Sequence, residues 1–197
     1  MSKKKRYPVR IPRFAAGIRA QEMRSGGTNR SWWSMRWTRI LEAMGLGSRL
    51  GRGKNYALSG QIAAMQIAGP HVEAQVVGTR AQPYTVTVDF RVPSDAARSR
   101  IIAAIRGEPM LVARLLVDDL PTEIEDFFRN EGLDFFPGGK IATGRYDMTT
   151  ACSCPDYANP CKHSAAVLLI LGEEIARRPA TLLELRGITM EELCGED

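Results

Sequence analysis

The stretch from residue 151 to residue 163 reads ACSCPDYANPCKH and decides how the C-terminal part of the chain folds. It contains three of the four cysteines and one of the two histidines, in the spacing C-x-C-x6-C-x-H. Because residues two apart in an extended segment project to the same side, Cys152 and Cys154 are expected to face one ion. Two prolines and an asparagine favour a compact loop that brings Cys161 and His163 back at the start of a helix.

Three thiolates and one imidazole match the tetrahedral ligand set of a structural zinc site. The predicted ligands of this Zn²⁺ ion are Cys152, Cys154, Cys161 and His163. Such a set leaves no position for an activated water, so the metal is expected to shape the fold and not to catalyse a reaction. A disulfide or unbound cysteines are the alternatives, although a bridge between cysteines only one residue apart would be strained. Cys194 completes no pair and is interpreted as a bystander.

The composition is that of a globular protein, with 197 residues of which 44% are hydrophobic and 25% are charged. The longest apolar run, residues 165–172, is far shorter than a membrane span, so no membrane association is predicted. The N-terminal sequence SKKKR is not followed by an apolar stretch, so it is not a secretory signal. We therefore expect a cytoplasmic protein with reduced thiols, and association with the nucleoid is left open.

The net charge of +5 hides a strong asymmetry along the chain. Residues 1–60 carry 14 basic and two acidic residues, a net charge of +12, whereas residues 61–197 carry 13 basic and 20 acidic residues, a net charge of −7. A strongly basic segment is a candidate for binding DNA or RNA, because cations that contact phosphates release counterions. The alternative is a solvated basic tail. The predicted nucleic-acid contacts are Lys3, Lys4, Lys5, Arg6, Arg10, Arg13, Arg49, Arg52 and Lys54.

We divide the chain into three parts by composition and pattern. Residues 1–30 mix basic residues with glycine, serine and proline, and are interpreted as a basic flexible arm, either disordered or lying over a partner or the body. Residues 31–140 are predicted to form an α+β domain. Residues 141–197 are predicted to form the zinc finger and the C-terminal helices that follow it.

The second part begins with a helical pattern over residues 31–44. One face of this helix is apolar and is expected to pack into the core rather than to stack on bases. The residues on this face are Trp33, Trp37, Ile40 and Met44. Glycines end the helix, and residues 49–54 are expected to form a basic, glycine-rich loop.

Three strand patterns follow this loop. Residues 61–68 and 71–78 are joined by Gly-Pro, a hairpin signal, and residues 84–92 alternate between apolar and polar side chains as a half-buried strand does. The predicted fold class is α+β, with a small antiparallel sheet packed with helices and a C-terminal zinc finger of the strand–loop–helix form.

Helical patterns dominate the remainder of the chain. Ser94 is expected to cap one helix, and Pro109 suits the first turn of the next. Thr122 and Glu125 have the spacing of a capping box at the start of a short helix. Beyond the cysteines, residues 164–178 are strongly helical, and short helical pieces follow.

The C-x-C-x6-C-x-H pattern followed at once by an apolar helix resembles the SWIM zinc finger. Together with a Trp-Trp pair, a basic glycine-rich segment and a Pro-Tyr strand, it is similar to stand-alone bacterial SWIM proteins such as those of actinobacteria, over roughly residues 30–190. Only the four ligands are carried over from the family to this chain. The family occurs with or beside Swi/Snf-type ATPases and in transposases, so the resemblance implies DNA-binding or protein-interaction roles.

Two functional interpretations follow. The first is a non-enzymatic zinc-binding protein that associates with nucleic acid through its basic N-terminal region, with the finger as a structural platform. The second is an adaptor that docks a Swi/Snf-type ATPase or another larger assembly through the finger. We expect no enzyme, no catalytic residues and no small-molecule substrate, because no P-loop or dinucleotide fingerprint occurs and His71 is the sole histidine outside the finger.

Overall fold

The computed structural model of the protein describes residues 12–13, 15–21, 31–138 and 147–195. Its helices are α1 (Trp32–Ala43), α2 (Ser48–Leu58), α3 (Asp95–Arg106), α4 (Pro109–Leu116), α5 (Ile124–Asn130), α6 (Lys162–Arg177), α7 (Thr181–Leu185) and α8 (Met190–Cys194). Its strands are β1 (Ile62–Ala68), β2 (His71–Val76), β3 (Tyr84–Phe90) and β4 (Met148–Cys152). The predicted α+β class is confirmed.

The four strands form one antiparallel sheet in the order β1-β2-β3-β4. The predicted hairpin joins β1 to β2 through Gly69 and Pro70. The apolar residues at alternate positions of β3 are buried, which confirms the predicted half-buried strand. β4 pairs with β3 so that Cys152 lies opposite Val86, although three helices separate the two strands in the chain. The finger therefore begins as the edge strand of the sheet.

The apolar face of α1 is anchored in the core by a tryptophan. Trp37 is 2% exposed, and its indole N–H donates a hydrogen bond of 3.0 Å to the carbonyl of Leu168 in α6. Ile40 is also buried, whereas Trp33 and Met44 at the two ends of the face are half-buried. The interpretation of this face as a packing surface is confirmed.

The segment of residues 49–54 is helical, so the predicted glycine-rich loop is wrong. Gly53 lies against α6, where a Cβ atom would come within 2.7 Å of the Ala165 Cβ and 3.0 Å of the Lys162 carbonyl oxygen. The two helices approach so closely that only glycine fits between their backbones. This tertiary contact outweighs the poor helix propensity of glycine, which is the signal that favoured a loop.

Helix α6 forms the centre of the core. Its residues from His163 to Leu168 are all buried, and it contacts α1, α2 and three strands of the sheet. One hydrophobic cluster draws residues from the sheet and from helices on both sides of the boundary predicted at residue 140. That boundary stays a prediction, and the core is continuous across it. Even α6, with 16 residues, is too short to cross a membrane, and no other helix among the described residues is long and apolar enough.

Of the two side-chain caps that the sequence predicts, the one at Ser94 is confirmed and the one at Thr122 is wrong. Ser94 caps α3 as predicted, since its hydroxyl accepts a hydrogen bond of 3.3 Å from the backbone N–H of Ala97. The capping box predicted at Thr122 is wrong, because α5 begins at Ile124 and the Thr122 hydroxyl instead donates to the carboxylate of Glu123. The N-cap residue is Glu123, and no side-chain hydrogen bond caps the helix.

Arg186 is buried, with 1% of its surface exposed, directly after α7. Its guanidinium group donates to three backbone carbonyls, those of Phe135 at 2.9 Å, Arg91 at 2.6 Å and Asp134 at 2.6 Å. Burial lowers the pKa of Arg186 to about 10, so the group stays charged at neutral pH and binds these carbonyls strongly. Arg186 therefore ties α7 to the segments that follow β3 and α5.

Replacing Gly53 with alanine should destabilise the protein by about 1–3 kcal/mol, because the added methyl group overpacks the contact between α2 and α6. The free energy of unfolding in urea measures this change. Gly51→Ala is the matched control, since a Cβ atom there meets nothing within 4 Å. Alanine at residue 51 should be neutral or stabilise by up to about 1 kcal/mol through its helix propensity. Equal losses in the two variants would contradict the close contact at Gly53.

Candidate metal centre

The four predicted zinc ligands come together at the junction between β4 and α6. Their ligand atoms all lie within 4.8 Å of one another. The Nδ1 atom of His163 lies 3.8 Å from the Sγ atom of Cys152 and 3.7 Å from that of Cys161. In a tetrahedral zinc site a sulfur and a nitrogen ligand are separated by about 3.5 Å, given metal–ligand distances near 2.3 and 2.0 Å. The arrangement therefore fits Zn²⁺, with Nδ1 as the ligand atom of the imidazole.

The sheet places the first two ligands. Cys152 ends β4, and the pairing with β3 continues one residue further through Ser153. The Ser153 backbone N–H donates to the carbonyl of Thr85 at 3.0 Å, and the Ser153 hydroxyl accepts from the Thr85 N–H at 3.0 Å. Because Cys154 follows this fixed residue at once, both thiols are held on one side of an extended segment, as the sequence predicts.

Asn159 fastens the loop between Cys154 and Cys161 to strand β4. Its side-chain N–H donates to the Thr150 carbonyl at 2.6 Å, and its side-chain oxygen accepts from the Thr150 hydroxyl at 2.5 Å. At the other end of the loop, the carboxylate of Asp156 accepts from the Ala158 N–H at 3.2 Å. These bonds turn the chain back, so Cys161 arrives opposite Cys152.

The start of α6 holds the other two ligands. Cys161 is the N-cap residue, and its sulfur accepts a hydrogen bond of 3.5 Å from the backbone N–H of Ser164. A helix N-terminus presents unpaired N–H groups and the positive end of the helix dipole, and both stabilise a thiolate. His163 lies within the first turn, so its ring is oriented by the helix.

The three thiols of the cluster affect one another's pKa through hydrogen bonds and charge. The pKa of Cys161 is lowered, first because the Cys152 thiol donates to it and then because His163 and Ser164 hydrogen-bond to it, while burial acts against this lowering. The same bond to Cys161 raises the pKa of Cys152, and burial adds to the rise. Burial raises the pKa of Cys154. Three thiolates so close together, one buried and two half-buried, repel one another unless a cation lies between them, and Zn²⁺ would supply that charge.

Two tyrosines enclose the imidazole of His163. The Tyr84 ring lies 4.6 Å from the imidazole centroid at an angle of 31°, and the Tyr56 ring lies 5.1 Å away at 70°. The Nε2 atom of His163 is buried and has no hydrogen-bond partner among the described residues. Gly78 leaves room for this packing, since a Cβ atom there would come within 2.4 Å of the Tyr84 ring. Sequence patterns did not indicate the role of Tyr56, because its contact with His163 forms only when α2 lies against α6.

The cysteines themselves bear on one alternative to metal binding, a disulfide bond. All four cysteines lie in the described part of the chain, and none forms a disulfide. Cys194 is exposed in α8 and lies outside the cluster. His71 lies far along the sheet, where its Nδ1 atom hydrogen-bonds to the Asp89 carboxylate at 2.6 Å.

The predicted nucleic-acid contacts fall into three groups. Lys3, Lys4, Lys5, Arg6 and Arg10 lie outside the described residues. Arg13 is exposed, and its backbone N–H donates to the carbonyl of Gly78 at 3.0 Å, beside the metal centre. This part of the predicted arm lies over the body, one of the two arrangements expected for it.

The three basic residues of α2 separate onto different faces of the helix. The guanidinium carbon of Arg49 lies 6.0 Å from the centroid of the Tyr157 ring, in the loop of the finger. Arg52 lies one helical turn before Tyr56, close enough to act on its pKa, which burial raises overall. Lys54 points elsewhere and lines a cavity of about 430 Å³ between α1, α2 and α6. The structure thus brings Arg49 to the finger loop and Arg52 close to Tyr56, which packs on His163.

Replacing Cys152 with serine should remove bound zinc, because three ligands remain and the link between β4 and α6 is lost. Losing a residue that only hydrogen-bonds to a metal ligand weakens metal binding about 10- to 100-fold, so losing a ligand itself should weaken binding further. Zinc content by mass spectrometry measures this, and amide hydrogen exchange should increase first in residues 147–177. Cys194→Ser is the matched control and should keep full zinc content. Full zinc content in Cys152→Ser would contradict the ligand assignment.

Comparison with known proteins agrees with this centre. A sequence model of the family described as SWIM zinc finger matches residues 146–172. The uncharacterized protein Rv2102 of Mycobacterium tuberculosis is 37% identical over 186 residues, which cover 94% of this chain and 65% of that protein. The chain therefore spans less than two thirds of the length of this curated relative. No solved structure matches the chain significantly. A SWIM zinc finger, built from the strand, loop and helix that carry the Cys₃His cluster, is thus part of this chain.

Proposed function

We propose that this protein associates with nucleic acid through its basic N-terminal region, and that the zinc finger acts as the rigid platform for that region. The observation that carries the proposal is the charge asymmetry, with 14 basic and two acidic residues in residues 1–60 and an acidic remainder. Phosphate contacts from lysine and arginine supply most of the affinity of non-specific nucleic-acid binding. A cytoplasmic location, at the nucleoid, goes with this role.

Contacts between the basic region and the finger support the platform role. The backbone of Arg13 is hydrogen-bonded to Gly78, which lies beside the imidazole of His163. Helix α2 carries Arg49 and Arg52 and packs along α6, the helix that bears two of the zinc ligands. The metal centre thereby orders the surface on which part of the basic charge is displayed.

The proposed role is binding without catalysis. Three thiols and an imidazole leave no open metal position, so the zinc centre would hold shape and would not activate water. Both histidines have partners, His163 in the cluster and His71 at Asp89, and within the described residues neither is hydrogen-bonded to a serine or threonine hydroxyl. A small-molecule substrate forms no part of the proposal.

The N-terminal cations should account for much of the salt dependence of binding. Replacing Lys3, Lys4, Lys5 and Arg6 with glutamine leaves intact residues 15–21, whose backbone is attached to β1 and α2. If these side chains neutralise phosphates, the plot of log affinity against log salt concentration should become less steep by about 3. Fluorescence anisotropy with a labelled DNA or RNA oligonucleotide between 50 and 300 mM salt, on the order of physiological strength, measures the slope.

The matched control removes the same charge from the acidic part of the chain. Its substitutions to glutamine are at Arg106, Arg129, Arg177 and Arg178. This variant should keep the slope of the unmodified protein to within about 1. An unchanged slope in the N-terminal variant would rule out the arm as a phosphate contact, and no detectable binding by the unmodified protein would rule out nucleic-acid binding itself.

A second candidate function is that of an adaptor which docks a Swi/Snf-type ATPase or another larger assembly through the finger. The observation that favours it is Tyr157, which is 95% exposed in the finger loop. Exposed aromatic side chains are enriched where proteins dock, because they bury large areas at small entropic cost. A purified Swi/Snf-type ATPase should then bind the nuclease-treated protein, and Tyr157→Ser should weaken this binding at least about tenfold. Equal binding by both proteins would exclude the finger loop as the docking surface.

A further inference from the structure

The finger loop presents a free aromatic ring beside a group of cations. Tyr157 lies between Cys154 and Cys161, so both ends of its loop are held by the metal ligands. Its side chain is 95% exposed, the highest value among the large hydrophobic side chains of the described residues. An aromatic ring that contributes nothing to the core and is held at a fixed place is suited to binding a flat partner.

One cation, Arg49, lies near this ring, and two more, Arg52 and Lys162, lie near Tyr56 on the adjoining helices. The guanidinium carbon of Arg49 is 6.0 Å from the centroid of Tyr157, and the Nζ atom of Lys162 is 5.9 Å from the centroid of Tyr56. Arg52 lies three residues after Arg49 and four residues before Tyr56, so Arg49, Arg52 and Tyr56 share one side of α2. We call Tyr157, Arg49, Arg52 and Lys162 the loop–helix surface.

The cations of the loop–helix surface carry net positive charge that is not neutralised locally. Within residues 31–138 and 147–195, none of Arg49, Arg52 and Lys162 forms a salt bridge. By contrast, Arg98 and Arg100 elsewhere in the chain each pair with a glutamate. The only carboxylate within the finger loop, that of Asp156, accepts a hydrogen bond from the Ala158 N–H. A surface of this kind has charge complementary to phosphate groups.

From this placement we infer that the loop–helix surface binds single-stranded nucleic acid, with Tyr157 stacking on a base and Arg49, Arg52 and Lys162 contacting the phosphates on either side. This inference rests on the proposed association with nucleic acid and adds the form of nucleic acid and the place where it is read. Successive bases of a single strand stack on aromatic rings, while the backbone follows a groove or stripe of cations. Bases within a duplex are already stacked on one another and have no face free for Tyr157.

The zinc centre gives this surface its rigidity. Gly53 lets α2, which carries Arg49 and Arg52, lie against α6, and Lys162 is the first residue of α6. Tyr157 is placed by the loop that Asn159 fastens to β4. The loop and the two helices that carry these side chains are therefore positioned before binding, which reduces the entropy lost when the strand binds.

The test compares Tyr157→Ala with Tyr157→Phe in the full-length, zinc-loaded protein. Anisotropy is measured with a fluorescein-labelled 15-nucleotide oligothymidine, an RNA strand of equal length, and a DNA duplex. Tyr157→Ala should weaken binding to both single strands roughly 5- to 150-fold, as the loss of one base–aromatic stack does. Tyr157→Phe should bind within about twofold of the unmodified protein, because the ring is retained. Binding of the duplex should change less than about twofold in either variant.

The outcomes separate this inference from the proposed function. If the unmodified protein binds no oligonucleotide, both fail. If it binds with a steep salt dependence but Tyr157→Ala binds the single strands as tightly, the loop–helix surface alone is refuted. Equal losses for single strands and duplex would also refute it. Arg49→Gln provides an independent measurement, since it should reduce the salt slope for the single strand by about 0.7, and an unchanged slope would remove Arg49 from the surface.

Discussion

Cys152 ends the edge strand of the sheet, and Cys161 is the N-cap residue of the central helix. The ligand cluster therefore joins the sheet to α6 at one corner. β4 is held by its pairing with β3, and α6 is held by burial of nearly its whole first half. The four ligands are therefore positioned from both sides, and a zinc ion bound between them adds the free energy of metal binding to that of folding. The Asn159 clamp keeps the intervening loop in register with this corner.

Much of the remaining structure is arranged around the same helix. Trp37 binds α1 to α6 through the carbonyl of Leu168, and Gly53 lets α2 lie directly on the first turns of α6. Because two of the zinc ligands, Cys161 and His163, lie at the start of α6, α2 and the metal centre share an environment, and Tyr56 of α2 packs on the imidazole of His163. A disturbance at the metal is thus expected to reach α2 and the cations it carries, as well as the strand and loop.

The metal site could be predicted from the sequence almost completely, because its ligands are close in the chain and their chemistry is specific. The period-two pattern of β3 and the helical face of α1 were equally local, and both were confirmed. The loop predicted at residues 49–54 was wrong because glycine lowers helix propensity locally, whereas the contact that requires Gly53 involves Ala165, more than a hundred residues away. Arg186 likewise gave no signal, since its three carbonyl partners come from distant segments.

Residue types and short spacings along the chain were enough to predict the ligand set, the fold class and the uneven distribution of charge. The folded arrangement was needed to place Arg49 near Tyr157, Lys162 near Tyr56 and Lys54 at a cavity, and to show that Tyr157 projects into solvent. These two groups of features differ in how far apart along the chain the interacting residues lie. Metal ligation and strand alternation act over a few residues, whereas the placement of cations follows from how closely two helices can approach.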